Sequence, residues 1–301
     1  MSNILVVGSL AYDTLTTPNG HVDRTLGGSA NYFSLAASLY SHVRVVGVVG
    51  EDYKAEDLEM LKKRKVDVAG LQTKPGKTFH WKGEYKGDMS EATTLATDLN
   101  VFADFNPELP KEYRDSQYVF LANIDPILQL RVLEQIEKPK LVGSDTMNFW
   151  ISSKMPELKK VLAKVDVLLV NEAEADSIAG AANAIASAKT ILAMGPKAVV
   201  IKRGEYGFVL YTKEGYFILP AFPISNVVDP TGAGDTFAGA FFGYLAKRDK
   251  GFDLHSLKQA CIQGCLAASF TVEAFGVERL KNLTWPEVEH RQAEYHNAIT
   301  L

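Results

Sequence analysis

Short runs of aliphatic and β-branched residues recur between helix-length segments through most of this chain, and that alternation constrains the fold more than any other feature. ILVVG (4–8), VRVVGVVG (43–50), YVFLAN (118–123), KLVGSD (140–145), VDVLLVN (165–171) and AVVIKRG (198–204) read as strands buried on both faces. Between them, 29–41, 53–65, 126–137, 154–164 and 172–193 read as helices. Strands alternating with helices predict an α/β fold, a mostly parallel sheet covered by helices on both faces. Ligands in such sheets collect beyond the carboxyl ends of the strands. Asp13, Asn123, Asp145 and Asn171 all fall at or just after predicted strand ends, which makes them candidate binding residues.

Two regions interrupt the alternation. In 72–105, TFHWKGEY alternates aromatic and polar residues between glycine-bearing turns, which predicts a small separate sheet joined by 12–17. Residues 206–219, YGFVLYTKEGYFIL, predict a hairpin turning at Lys213-Glu214-Gly215. No repeat or low-complexity tract is present, so the 301 residues read as one domain with a small β lid. A net charge of -4 without any block of like charge argues against nucleic acid or an anionic membrane as partner. MSNILVVGSLAYD has no basic start and places Asp13 where a signal peptide is still apolar. No apolar run approaches the roughly 18 residues that span a bilayer. The two cysteines, Cys261 and Cys265, lie four apart in CIQGC, too few ligands for a metal or redox centre, and are expected to be buried thiols. A cytoplasmic, reducing-compartment protein is the expectation.

The chemistry concentrates in Val227–Ala246, VVDPTGAGDTFAGAFFGYLA. Pro230 cannot continue a central strand, so a strand is expected to end near Val228. Gly232 and Gly234 permit backbone conformations that a side chain forbids, and the small, apolar residues from Asp235 onward suit a closely packed helix. The N–H groups of Gly232, Ala233, Gly234 and Asp235 would then gather at a helix start, where the dipole also favours negative charge. Such a cluster can hold a group that becomes more negative during reaction. A carboxylate beside it has a use where an alcohol must lose a proton. Asp235 can orient a hydroxyl and accept its proton as a phosphoryl group arrives. Asp229 either fixes the loop through its side chain or lies near a cation. Spacing alone also allows a capped, glycine-bearing helix start with no chemistry.

DPTGAGDTFAGAFFGYLA resembles, nearly residue for residue, the C-terminal signature of the ribokinase-like (PfkB-type) carbohydrate kinase family, D-T-x-G-A-G-D-x-F. The resemblance implies that Asp235 is the catalytic base and that Gly232, Ala233 and Gly234 form an anion hole. TLGGSANYFSLAASLY followed by VRVVGVVGEDY is similar to the family's other signature. There, paired glycines let a sugar lie against the backbone and an asparagine in the next turn binds its hydroxyls, which points to Gly27, Gly28 and Asn31. Two residues separate these glycines from Asn31 where many members have three, so Ser29 shares the candidacy. Asp13 stands where the family commonly has a carboxylate that accepts two sugar hydroxyls, a task suited to an acceptor-only group. Taken alone it reads equally as a turn or cap residue.

Asn171-Glu172-Ala173-Glu174 resembles the family's N-x-x-E, whose asparagine and last glutamate organise Mg2+ and its waters. Taken alone, NEAEA reads as an ordinary helix start with acids in its first turn. AVVIKRGEYGFVLY resembles the nucleotide-binding strand and glycine turn, which brings Lys202, Gly204 and Gly207 near ATP, with Thr231 and Gly234 from the anion-hole loop. Lys202 and Arg203 either screen phosphate charge or are surface charges. Many members also use a monovalent cation such as K+, whose neighbourhood here would be Asp229, Thr231 and the backbone around Ala268 to Gly276.

From about residue 3 to about residue 278 the resemblance implies a ribokinase-like three-layer sandwich with a β lid over the sugar. It implies ATP- and Mg2+-dependent transfer of the γ-phosphoryl group to a hydroxyl, a primary CH2OH, of a neutral sugar or a ribonucleoside. A nucleoside needs an aromatic or apolar slot for its base. Phe79, Trp81 and Tyr85 in the lid and Phe149-Trp150 after DTMN are candidates, with packing the better account of Phe149. A sugar acid calls for a positive pocket, for which Lys77 and Lys82 are available without forming a compact cluster; a sugar phosphate calls for still more charge. A regulator of the same fold that had lost catalysis would be expected to lose Asp235. A dinucleotide-dependent oxidoreductase should show G-x-G-x-x-G, and GSLAYD lacks the second and third glycines. Lid strands in this family often pair, so a homodimer through the lid is a candidate assembly.

Overall fold

The first strand, Ile4–Val7, has no exposed surface on any of its four side chains, a condition met only by a central strand covered on both faces. The computed structural model, which describes residues 3–181 and 183–300, shows how this is achieved. Its strands are β1 (Ile4–Val7), β2 (Ala11–Thr17), β3 (Gly20–Gly27), β4 (Val43–Gly50), β5 (Val66–Lys74), β6 (Phe79–Tyr85) and β7 (Ala92–Asp98). They continue with β8 (Tyr118–Leu121), β9 (Leu141–Ser144), β10 (Val167–Asn171), β11 (Ala198–Lys202), β12 (Phe208–Thr212) and β13 (Gly215–Leu219). Nine form one sheet in the order β13-β12-β11-β10-β9-β8-β1-β4-β5, parallel except that β12 runs antiparallel to both its neighbours. The other four form a small sheet, β3-β2-β6-β7, antiparallel in its two outer pairs and parallel at β2–β6.

Alternate side chains of β1 show the layering directly. Ile4 and Val6 join Phe33, Phe241 and Phe242 in one core, contributed by helices Ser29–Ala37 and Ala233–Arg248. Leu5 and Val7 join Val132 and Val161 in the opposite core, from helices Pro126–Leu133 and Met155–Leu162. The period of two along a strand thus builds a helix–sheet–helix sandwich. Cys261 and Cys265 are buried free thiols in helix Leu254–Thr271. Among the described residues no helix is long and apolar enough to cross a membrane.

Several elements differ from their sequence reading. Residues 66–74, part of which was assigned to the small sheet, form β5 at the edge of the main sheet, in parallel register with β4. Its burial is mixed rather than continuous, so it lacks the apolar run that marks an inner strand. β3, GHVDRTLG, is polar over its first half and carries no strand signal, yet it pairs with β2 from Ala11 opposite Gly27. The predicted helix over 172–193 is two helices, Glu172–Ala179 and Ala184–Leu192. Gly180 closes the first in a left-handed conformation (φ 62°), and the Asn183 side chain caps the second by accepting the Ala186 N–H. Among the described residues, 220–232 hold no strand; Val228 N–H instead donates to Val272 O at 2.7 Å. The predicted hairpin turns at Lys213-Glu214 and extends the main sheet.

Candidate active site

Gly232 opens the site. It caps helix Ala233–Arg248 with φ 74°, and a Cβ there would overlap the buried ring of Tyr32, so only glycine fits both the conformation and the space. The helix start thus lies near the end of β11, whose last residue, Lys202, approaches Gly234. Of the four N–H groups expected to converge, that of Ala233 donates to Pro230 O at 3.2 Å. Gly234 lies beneath Lys202: a Cβ on Gly234 would stand 2.6 Å from Lys202 Nζ. Lys202 ends β11 directly beside Asn171, the last residue of β10, so strand register rather than local sequence brings this cation to the helix start.

Asp235 is half-buried in that recess. Burial pushes its carboxyl up to about 6, with Lys202 pulling it down and Glu174 raising it further. Asp145, immediately beyond β9, is buried, and its Oδ1 has no hydrogen-bond partner. Burial first, then the Asp235 charge, holds Asp145 well above the ordinary carboxyl range. Asp13, in β2, is 4% exposed and is pushed up to about 8, chiefly by burial and then by Asp229 and Asp235.

The paired glycines let helix Ser29–Ala37 start against that carboxylate. A Cβ on Gly27 would overlap Asp13 itself, and one on Gly28 (φ 89°) would lie 2.6 Å from Ser9 O. Asn31 and Ser29 are engaged inside the protein. Asn31 Nδ2 donates to Gly27 O at 2.6 Å, while Ser29 Oγ bonds Ser9 N and Ser9 Oγ at 3.2 and 3.1 Å. Both side chains therefore hold the shape of the turn.

The remaining candidates sort by their contacts. Asp229 is fully buried and accepts one N–H on each oxygen, from Thr231 at 2.9 Å and Gly276 at 3.0 Å, which is the loop-fixing arrangement. Asn171 and Glu174 form a capping box, each side chain bonding the other's backbone N–H at 2.8 Å. Glu174 is half-buried near Lys202 and its carboxyl is raised, mainly by burial. Gly207 (φ 82°) is required by a turn in which a Cβ would overlap Leu219 O; at Gly204 (φ 55°) the space is open. Arg203 pairs with Glu172 at 3.0 Å. Asn123 Oδ1 accepts the Trp150 indole N–H at 3.1 Å.

The small sheet reaches the same loop. Thr17 Oγ1 donates to Val228 O at 2.9 Å, Asn19 Nδ2 to Val227 O at 2.6 Å, and Thr231 Oγ1 to the Tyr85 hydroxyl oxygen at 3.2 Å. Phe79 stacks on Phe102, which stacks on Phe105, so it belongs to an aromatic row inside the protein. Trp81 bonds Thr94 through Nε1 within the small sheet. Packing was the better sequence account of Phe149, yet its ring is 57% exposed, edge-on to Trp150.

Sequence reading missed Tyr32. Its ring is buried against Gly232, its hydroxyl has no hydrogen-bond partner, and burial followed by Asp13, Asp229 and Asp235 raises its pKa strongly. The one available signal was a polar-tipped side chain in SANYFSLAA, a segment otherwise small or apolar.

A carboxylate and a lysine thus approach one helix start at the carboxyl edge of a parallel sheet, where the dipole and the cation both favour an anion. The chain belongs to the pfkB family of carbohydrate kinases, whose family model matches residues 1–283. A cytidine kinase of Thermococcus kodakarensis is 34% identical over 256 residues, covering 82% of this chain and 90% of the relative. Among solved structures, aminoimidazole riboside kinase of Salmonella enterica, complexed with aminoimidazole riboside and an ATP analogue, has a TM-score of 0.78 at 22% identity. The match covers 96% of this chain and 99% of that one. A putative ribokinase II of E. coli, in complex with ATP and Mg2+, has a TM-score of 0.80 at 18% identity and covers 98% and 100%. These two likenesses establish the ribokinase fold.

Proposed function

We propose that the protein transfers the γ-phosphoryl group of ATP to the primary hydroxyl of a ribonucleoside, with Asp235 as general base. The observation that carries this reading is the approach of Lys202 Nζ and the Asp235 carboxylate to one helix start. The alcohol gives its proton to Asp235 as its oxygen bonds to the γ-phosphorus. The bond from that phosphorus to the bridging oxygen breaks, and ADP leaves with the electron pair. Lys202 and the adjoining N–H groups face the phosphates. Asp13, acceptor-only when ionised, receives hydroxyls of the sugar, which would offset the cost of its burial. The β3-β2-β6-β7 sheet acts as the lid, tied to the site through Thr17, Asn19 and Tyr85, and it excludes water that would compete with the alcohol.

The chain fits the ions its family implies. Glu174 uses one oxygen in its cap, which leaves the other for a water of Mg2+; the ion, when bound, neutralises phosphate charge. The fully buried Asp229, raised mainly by burial and without a bonded cationic side chain, suits a K+ ion against the same loop. Two observations support a nucleoside over a free sugar. The cytidine kinase relative aligns over most of both chains. Met147 and Phe149, 39% and 57% exposed just beyond β9, offer apolar surface that a base would cover.

The test is ATP consumption with Mg2+ across nucleosides, cytidine first, and sugars, in K+ and in choline salts, with Asp235→Asn in parallel. Turnover with nucleosides, reduced about 100- to 10,000-fold in the variant, is expected. Near-normal turnover in the variant removes the base assignment. Preference for a sugar removes the nucleoside.

A further inference from the structure

The last helix, Trp285–Ile299, lies beyond residue 283, where the match to the family model ends. Its Arg291 nevertheless reaches back toward the site. Arg291 Nη2 pairs with Glu273 Oε1 at 2.6 Å, and Nη1 donates to Ser269 Oγ at 3.0 Å. The guanidinium lies 3.5 Å from the centroid of the Phe270 ring. Glu273 gives its other oxygen to Arg279 Nε at 3.2 Å, and Arg279 Nη2 bonds Glu287 Oε1 of the same last helix at 2.8 Å. The Arg291 side chain is 14% exposed, and a partly sheltered pair is screened less than a surface one. A planar fork is also the group that can hold a carboxylate and a hydroxyl at once.

What Glu273 holds is a turn. Residues 272–279 belong to no helix or strand, so no regular ladder sets their position. Yet this turn carries the bonds that fix the loop leading into Gly232. Val272 O accepts the N–H groups of Val228 and Asp229 at 2.7 and 3.3 Å, and Gly276 N–H donates to Asp229 Oδ2 at 3.0 Å. Asp229 Oδ1 in turn accepts Thr231 N–H at 2.9 Å. One residue ahead of the turn, the Thr271 hydroxyl donates to the buried Thr236 hydroxyl at 2.9 Å, directly after Asp235 in the chain. Segment 271–276 therefore grips the chain on both sides of Gly232–Asp235.

We propose that Arg291 is a positioning residue for the reaction: through Glu273 it fixes the 272–276 turn, and through that turn the helix start that carries Asp235. This rests on Asp235 and the adjoining N–H groups being the reacting site. Arg291 acts through Glu273 alone, so a second cation that keeps the pair preserves the effect, and a neutral side chain of similar length does not. Arg44 supplies the control. It makes the same three kinds of contact, with Asp115 at 2.7 Å, Ser116 Oγ at 3.0 Å and the Tyr113 ring at 5.2 Å, but it stands near the start of β4, at the opposite edge of the sheet.

The experiment compares Arg291→Met, Arg291→Lys, Glu273→Gln, the double variant Arg291→Met with Glu273→Gln, and Arg44→Met. Thermal melts give each midpoint, and kcat and KM for ATP and cytidine are then measured well below the lowest of them. Arg291→Met and Glu273→Gln should each lower kcat about 5- to 50-fold, the weight of a shift of somewhat under about 1 Å at the reacting groups, with both KM values within about threefold. Arg291→Lys should stay within about threefold of the parent in kcat. The double variant should be no slower than the slower single one, because the two residues act as one unit. Arg44→Met should lower the melting midpoint comparably and leave kcat within about twofold. The proposal falls if Arg291→Met matches the Arg44→Met control in kcat, if Arg291→Lys is as slow as Arg291→Met, if the loss lies in KM alone, or if the two effects multiply. Where Arg291→Met fails to fold, Glu273→Gln and Arg291→Lys decide by the same criteria. Should Asp235→Asn turn over normally, it is the base assignment that fails, and the comparison with Arg44→Met still reports whether Arg291 sets the site.

Discussion

Gly234→Ala should separate catalysis from folding. Gly234 is the second residue of helix Ala233–Arg248 and its φ is not positive, so alanine is conformationally at home and helix propensity favours it by up to about 1 kcal/mol. The nearest atoms a methyl group would meet all belong to one side chain, Lys202, at 2.6 Å for Nζ, 3.6 Å for Cε and 4.0 Å for Cδ. Ordinary van der Waals separation is about 3.5 Å, so the ammonium must retreat by roughly 1 Å. A flexible side chain yields that distance at little cost to the fold. The site is less tolerant, because misplacing a catalytic group by about 1 Å can cost about 100-fold. We expect kcat to fall about 10- to 100-fold, KM for ATP to rise, and the melting temperature to stay within about 2 °C, which corresponds to less than about 1 kcal/mol in a chain of this size. ADP release and a thermal melt measure the two sides. Turnover within twofold of the parent would show that Lys202 does not work above Gly234. A large drop in melting temperature would mean that this glycine serves the fold.

Gly232→Ala should do the opposite. Its methyl group overlaps the Tyr32 ring in a left-handed backbone, and conformational strain of about 1–2 kcal/mol with overpacking of about 1–3 kcal/mol predicts a loss readable in a urea melt; a change below about 1 kcal/mol would contradict it. Because burial raises Asp235 to about 6, kcat/KM should decline toward tenfold per pH unit as the solution is acidified below that value, and a flat profile from pH 5 to 8 would rule this out. Asp13, raised from 3.8 to about 8 chiefly by burial, holds a proton in the folded state that the unfolded chain has already lost. Its contribution to stability is therefore present at low pH and is lost as pH rises from about 4 toward 8, by at most about 1.4 kcal/mol per unit. Asp13→Asn should flatten that slope in ligand-free urea melts, and an unchanged slope would sink the assignment.

The inner strands were legible because parallel strands bury both faces and must be written as apolar runs, as in ILVVG and VDVLLVN. β3 and β5 were not, since partly solvated strands carry polar residues such as the HVDRT of β3. The break at Gly180 was hidden by helix-forming residues on both sides. In the site, the glycines were legible, and Gly27, Gly28 and Gly232 prove to stand where a Cβ would strike Asp13, Ser9 and Tyr32. Their neighbours were not, because Lys202 reaches Gly234, and Trp150 reaches Asn123, across strand ends far apart in sequence. For Asn171 and Glu174 the ordinary helix-start reading holds, as a capping box, and it leaves a metal role compatible with the same residues.

The electrostatics of the site distinguish its two ends. Lys202 acts on Asp145, Glu174 and Asp235, a neighbourhood that accepts a polyanion. For Asp13, Tyr32 and Tyr85 the largest charge influences are other carboxylates, a neighbourhood suited to neutral hydroxyl donors. Asp229 is among the main influences on all three of this second set. Asp235 acts on members of both, on Asp13 as well as Asp145, while itself held down by Lys202. A group that takes a proton from an alcohol while a phosphoryl group arrives has to stand on such a boundary, which is the place the proposed function gives Asp235.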